Sequence, residues 1–329
     1  MSKGILLVNL GSPDSTNVED VRTYLREFLM DAKVIDSPWI IRKMIVELFI
    51  LPKRPINSAE AYKKIWTDKG SPLIVYSKIL QQKVQEQMDI PVGLAMRYKN
   101  PSIEFGIQEL YDQGVRDILV VPLYPQYTMS TTETVADKVL EVQKKKFKDV
   151  NVQFIKAFYN HPDYIKVLGD SIKDGLPEEY DKLLFSYHGI PERHDQKAIK
   201  SAKISGLPIE TYRNQCLETS RLVAEYLGLP EDKYYTSFQS RLGKDPWIRP
   251  YTDETLEKFP ENNDVKKLAV CTPAFVADCL ETLEEISMEG KEEFLHAGGE
   301  SFTYIPCLND RQDWIDTLVK WFKGWQNNS

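Results

Sequence analysis

The second half of this chain repeats the first. Leu6-Leu-Val-Asn-Leu-Gly-Ser-Pro13 is matched by Leu183-Leu-Phe-Ser-Tyr-His-Gly-Ile-Pro191. Val115-Arg-Asp-Ile-Leu-Val-Val-Pro-Leu-Tyr-Pro125 is matched by Val265-Lys-Lys-Leu-Ala-Val-Cys-Thr-Pro-Ala-Phe275, and the blocks keep their order. Strand-length apolar runs at 5–10, 92–96, 118–123 and 152–156 recur at 182–187, 234–238, 268–271 and 302–305. Amphipathic helical patterns lie between them, at 18–29, 59–66, 102–111, 132–145, 216–226, 279–288 and 311–321. Strands that alternate with helices build parallel sheets covered on both faces. The pattern predicts an α/β protein of two similar units, each with a four-stranded parallel sheet, and a crevice between them. The boundary falls near residue 150, giving units at 1–150 and 151–309, with the final helix at 310–329 crossing back onto the first. At 329 residues the chain is long enough for each unit to bury its own core.

In open α/β sheets, ligands bind beyond the carboxyl ends of the strands. In the second unit those ends carry Tyr187-His188-Gly189, the 239–243 segment and Pro273-Ala-Phe275. In the first they carry Gly11-Ser-Pro13, Arg97-Tyr98 and the segment after Pro125. His188 therefore stands on a tight turn at a strand end, where an imidazole suits a general base. Of the other histidines, His161 reads as a helix-start residue, and His194 and His296 lie in polar, surface-like stretches. Phe275 and Trp247 place large rings near the same rim, where they can pack as core or wall a flat apolar ligand.

The 272–289 stretch carries Asp278, Glu281, Glu285 and Glu289 at i, i+3, i+7 and i+11. On an α-helix these carboxylates fall within roughly 80° of one another. Such a stripe opposes helix formation by like-charge repulsion. It is either a solvated acidic face or a path for cations or protons.

Composition excludes several classes. Net charge is −7 and the isoelectric point is near 5.4, so no nucleic-acid partner is expected. Cys216, Cys271, Cys279 and Cys307 are widely separated, which argues against a zinc ribbon or a disulfide framework and for the cytoplasm. There is no Gly-x-Gly-x-x-Gly, Walker, Gly-x-Ser-x-Gly or His-Glu-x-x-His pattern. One histidine opposite several carboxylates suits a metal that passes through better than one that stays. The most apolar segment, 39–51, is interrupted by Arg42, Lys43 and Glu47. It is too short to span a bilayer and reads as a helix that is buried or lies against a greasy surface.

These motifs together resemble the ferrochelatase family. The resemblance rests on Leu7-Val-Asn-Leu-Gly-Ser-Pro13, Tyr24-Leu-Arg-Glu-Phe-Leu29, Gly70-Ser-Pro-Leu73, Met96-Arg-Tyr98 and Pro122-Leu-Tyr-Pro-Gln-Tyr127. It continues through Ser186-Tyr-His-Gly-Ile-Pro191, Phe238-Gln-Ser-Arg241, Pro246-Trp247, Phe275-Val-Ala-Asp-Cys-Leu-Glu-Thr-Leu283 and Tyr304-Ile-Pro-Cys-Leu-Asn309. It implies two Rossmann-like, chelatase-type units with a cleft between them, and insertion of Fe2+ into protoporphyrin IX with loss of two protons, the terminal step of haem synthesis. His188 and Glu281 take the place of the family's catalytic pair and of its transient metal contacts. Glu285, Glu289 and Asp278 extend the acidic path. Trp247 takes the place of the family's Pro-Trp ring. Phe275, Leu10, Arg97, Tyr98, Tyr127 and Lys64 are the other candidate porphyrin contacts.

Fe2+ is then a substrate, and no permanently bound cofactor is expected. Some relatives carry a [2Fe–2S] cluster on clustered C-terminal cysteines, which this sequence does not show. Cys279 stands where some relatives carry a histidine. Segment 39–51 matches a lip that would make peripheral contact with a membrane. A coproporphyrin ferrochelatase, a chelatase for another tetrapyrrole or metal, and a non-catalytic porphyrin carrier are the alternatives.

Overall fold

A computed structural model of the chain describes residues 2–201, 210–241, 243, 245–261 and 265–327. Leu242, in the 239–243 strand-end segment, and Asn328 and Ser329, at the end of the expected last helix, lie outside the described residues. Eight strands form two parallel sheets. In the first, β1 (Lys3–Asn9), β2 (Val92–Met96), β3 (Asp117–Pro122) and β4 (Asn151–Phe154) run in the order β2-β1-β3-β4. In the second, β5 (Lys182–His188), β6 (Tyr234–Gln239), β7 (Lys267–Cys271) and β8 (Ser301–Tyr304) run in the order β6-β5-β7-β8. The internal repeat is thus a repeat of topology. β1 and β5 are the equivalent inner strands, so Asn9 and His188 hold equivalent terminal positions. Ile5 to Val8 and Leu183 to Phe185 are fully buried, as strands covered on both faces require.

β4 pairs with β3, with Asp117 beside Asn151 and Val120 beside Phe154. The first unit therefore extends past residue 150, and the boundary read from the sequence is too early. This short run is its fourth strand, and nothing in its composition distinguishes which sheet it joins.

The helices that matter here are α1 (Val18–Leu29), α2 (Trp39–Met44), α3 (Arg54–Ile65), α4 (Pro72–Gln85), α5 (Ile103–Asp112), α6 (Thr134–Lys146), α7 (Pro162–Gly175), α8 (Glu192–Ser201), α9 (Tyr212–Leu227), α10 (Thr252–Glu261), α11 (Lys291–His296) and α12 (Gln312–Asn327). His161 caps α7, its Nδ1 accepting from the Asp163 amide at 3.2 Å. α12 packs on α4 and α7. Lys3 Nζ donates to the Gln326 carbonyl at 2.6 Å, and Trp325 Nε1 to Gln153 Oε1 at 3.2 Å. Trp314 on this helix is fully buried in a core that also takes in Leu7 of β1 and Phe185 of β5. One apolar core therefore runs through both units.

Three helical segments are widened into π-helix, Ile45–Ile50, Met129–Glu133 and Glu281–Gly290. Such segments close with i→i+5 hydrogen bonds and gather at functional sites. The first continues α2 and forms the lip. Trp39, Ile40, Ile41, Met44, Leu48 and Phe49 are all exposed there, Phe49 by 73%. The lip is therefore presented rather than buried. Of its three charges only Lys43 is exposed. Arg42 is buried and donates to the carbonyls of Ile35 and Ser37, and Glu47 pairs with Arg26. Among the described residues no helix is long and apolar enough to cross a membrane.

Candidate active site

His188 ends β5 on the carboxyl edge of the second sheet, in register with Gln239 at the end of β6. Its Nδ1 lies 2.7 Å from the Gly189 carbonyl. A carbonyl only accepts, so Nδ1 is the donor here, and whenever the ring is neutral the lone pair is on Nε2. Tyr212 Oη donates to the His188 carbonyl at 2.9 Å and pins the turn. The Phe275 ring stands edge-on to the imidazole with centroids 6.3 Å apart.

The acidic helix begins at Glu281. Ser186 Oγ donates to Gln239 Oε1 at 2.8 Å, which turns the amide so that Nε2 faces this helix. There it donates to the Glu281 carbonyl at 3.1 Å and to Glu285 Oε2 at 3.4 Å. Ser240 Oγ also donates to Glu285 Oε2, at 2.6 Å. Burial raises the Glu285 carboxyl above its ordinary pKa; Ser240 and the charge of His188 oppose this, and Glu281 adds to it. Burial, and then Glu284, raise Glu289 as well. Glu281 and Glu285 are half-buried and Glu289 is exposed, so the three lead from the interior outwards. Their i+4 spacing keeps the three on one face of the helix.

Asp278 does not share that face. It precedes the helix and is buried, and its carboxylate accepts from Tyr304 Oη at 2.6 Å, Asn309 Nδ2 at 2.6 Å and Thr282 Oγ1 at 3.0 Å. It anchors the turn that starts the helix. The α-helical geometry behind the four-residue stripe does not apply to a residue outside the helix.

The first unit faces Glu281 across a narrow crevice. Leu10, Gly11, Ser12, Tyr24, Tyr62, Ser71 and Leu73 line it, with Cys279, Leu280 and Glu281 opposite. Burial, and then the charges of neighbours that include Glu281, push the Tyr24 and Tyr62 hydroxyls far above their ordinary pKa. Tyr124 is raised too, chiefly by burial and in part by Cys279 and Glu281, although Arg97 opposes it. The cleft therefore offers neutral hydroxyls to the carboxylate. The sequence reading placed Ser12 on this rim, within Gly11-Ser-Pro13, but did not single out these tyrosines as site residues. Tyr24 and Tyr62 sit on buried helix faces, and their helical spacing looks like ordinary core.

Other candidates lie elsewhere. Tyr98 and Tyr127 are buried, with their hydroxyls donated to Asp31 and Glu133 at 2.9 Å each. They hold the first unit together and do not present a surface to a ligand. Arg97 is committed to Asp31 and Thr134, and Lys64 pairs with Glu284 at 2.6 Å. Neither is an unpaired cation awaiting a propionate. Trp247 is half-buried, its backbone bridged to Pro191 just after the His188 turn. His194 is buried, not surface-lying. Cys279 is buried, and burial raises its thiol pKa. Among the described residues, no three His, Cys, Asp or Glu side chains converge at metal-binding spacing.

Two matched parallel sheets meeting at one cleft, with a histidine on one strand end and a carboxylate helix beside it, define a chelatase-type fold. Solved chelatases share the fold. SirB from Bacillus subtilis, solved with Fe3+, superposes with a TM-score of 0.56 at 14% identity, covering 100% of this chain and 97% of that one. The sirohydrochlorin chelatase SirB from Bacillus subtilis subspecies spizizenii, in complex with cobalt, gives 0.56 at 10% identity, with 97% and 93% covered.

The ferrochelatase family model matches residues 2–324. The ferrochelatase of Pseudomonas fluorescens (strain Pf0-1) is 48% identical over 329 residues, covering 96% of each chain. That of Ectopseudomonas mendocina (strain ymp) is 48% identical over 326 residues, covering 95% of each. The chain belongs to the ferrochelatase family.

Proposed function

We propose that this protein inserts Fe2+ into protoporphyrin IX to form protohaem, the terminal step of haem synthesis. Beside the family membership, the observation that carries the reading is the contact of His188 Nδ1 with the Gly189 carbonyl. With Nδ1 as the donor, the neutral ring leaves Nε2 available as a base, near enough to Glu285 for their charges to interact.

The reaction needs two things of the protein. A free porphyrin must lose two pyrrole protons, and hydrated Fe2+ must exchange water for pyrrole nitrogen. His188 Nε2 takes a proton from the face it meets. Glu285, whose carboxyl holds a proton more readily than an ordinary one, accepts it in turn, and Glu289 passes it towards solvent. Glu281, at the crevice, is the contact for the incoming cation. Carboxylate oxygen holds Fe2+ loosely enough to release it, where a thiolate cage would retain it. Phe275 and Trp247 wall the ring, and apolar walls that distort it expose its lone pairs to the metal. Asp278 serves this site by fixing the helix start. The chemistry calls for no resident cofactor.

The test is metallation by the purified protein, followed by porphyrin absorbance with Fe2+ or Zn2+ and either protoporphyrin or coproporphyrin. Protoporphyrin is expected to be the better substrate, because the presented lip is apolar. Binding with no metallation of either overturns the reading. We further propose that the 39–51 lip makes peripheral contact with a membrane surface, the reservoir of a greasy substrate. The six exposed apolar side chains support this. Flotation with anionic vesicles should carry the wild-type protein, and Phe49→Glu should abolish it.

A further inference from the structure

The loop that leads into the lip is tied down at three charged residues. Asp31 accepts from Arg97, Tyr98 and Thr134, and Lys33 pairs with the buried Glu133; all of these partners lie in the first unit. Asp36 instead reaches the second unit. Its Oδ1 accepts from Arg193 Nη2 at 2.7 Å and Nε at 3.3 Å, and its Oδ2 from Lys197. His194 Nε2 lies 3.2 Å from Oδ1 but is not aligned for a hydrogen bond. Asp36 is only 12% exposed, with these cations packed around it.

Arg193 has a second acidic partner. Its Nη1 pairs with Asp245, which precedes Pro246 and Trp247. The backbone beside it joins the same loops. Glu192 N donates to the Pro246 carbonyl and Ile248 N to the Ile190 carbonyl, each at 3.0 Å. One guanidinium therefore connects the root of the lip, the loop bearing Trp247 and the first turn after His188. A planar fork can serve two carboxylates at once, which an ammonium cannot do with fixed geometry.

The units do not depend on this bracket to stay together. The shared core joins them, and Ala198 on α8 packs against Tyr127 and Met129. The bracket instead fixes one surface relative to another at the mouth of the cleft.

We propose that Asp36 and Arg193 are positioning residues that hold the lip root against the Trp247 loop and so set the width of the mouth through which a flat macrocycle enters. The inference rests on the chelatase reading above. The bracket acts on entry and fit, through the lip and Trp247. It does not touch the reacting atoms.

The experiment compares Asp36→Asn and Arg193→Lys with the full-length wild-type chain. Porphyrin affinity is read by fluorescence titration, and KM and kcat by metallation of protoporphyrin and of deuteroporphyrin, which lacks the two vinyl groups. A partly exposed ion-pair bracket predicts a rise of about fivefold in Kd and KM for protoporphyrin. The change in kcat should be smaller, and so should the effect on deuteroporphyrin. Asp36→Glu, which restores the carboxylate, should recover most of the loss. Unchanged affinity and KM in both variants overturn the bracket, as does an equal fall in kcat for both porphyrins. If Asp36→Asn does not fold, Arg193→Lys at its half-exposed site carries the same comparison. A wild-type protein that binds porphyrin but metallates none refutes the chelatase reading instead, and the affinity series still tests the bracket.

Discussion

Ser240 donates its hydroxyl to Glu285 Oε2 across 2.6 Å while its own backbone sits at φ 65°, in the left-handed region. A non-glycine residue rarely adopts that conformation, and strain of this kind gathers at functional sites. Here it turns the end of β6 towards the acidic helix. Burial nonetheless keeps the Glu285 carboxyl above its ordinary pKa.

The folded state therefore binds the Glu285 proton more tightly than the unfolded state does. Stability is greatest below the unfolded pKa and is lost as pH rises towards the folded one. Glu285→Gln, neutral throughout, should be more stable than wild type at pH 7, with a Tm higher by about 2 °C. Its turnover should fall. A lower Tm in calorimetry argues against the burial account.

His188→Ala should lower turnover by about 10²–10⁴-fold, the range of general-base contributions. Porphyrin binding should persist, because Trp247 and Phe275 remain. Added imidazole should restore part of the rate. Near-normal turnover refutes the base assignment.

Glu281→Gln should slow metallation far more than Glu289→Gln. The first side chain lines the crevice, and the second is exposed at the far end of the helix. Equal losses in parallel kinetic series indicate one cooperative cluster rather than a graded path.

Gly11 has φ 110°, and a Cβ there would sit 2.0 Å from the Tyr98 carbonyl oxygen. The obstacle is backbone, which cannot swing aside. Gly11→Ala should cost at least about 2 kcal/mol in urea unfolding and should widen the crevice.

His194 has a lowered pKa, chiefly because it is buried; Asp36 pulls the other way without prevailing. Below pH about 6.5 the unfolded state carries its charge, and the folded state takes up that proton only at lower pH. The unfolded state then takes up more protons, so stability falls as pH drops through that window. His194→Gln should flatten the decline in denaturant midpoint between about pH 7 and pH 5.5 relative to wild type. An unchanged slope contradicts the assignment.

The strands were legible because hydrophobic runs are local. All eight expected runs correspond to strands of the two sheets, and the repeat in sequence is a repeat in strand order. His188 was legible for the same reason, as the last residue of one such run. Asp278 was not, because its role depends on Tyr304 and Asn309, brought in from β8 and the turn beyond it. The boundary at 150 failed on a single pairing, β3 with β4.

The amino-acid sequence alone determined two α/β units, a histidine at a strand end and a run of carboxylates, because periodicity and turn chemistry act over a few residues. The tertiary structure decided which of those carboxylates share a face and which tyrosines oppose them. It also decided that Arg97, Lys64, Tyr98 and Tyr127 already have partners. Hydrogen bonds and ion pairs join residues far apart in the chain, and their geometry exists only once the two sheets have packed.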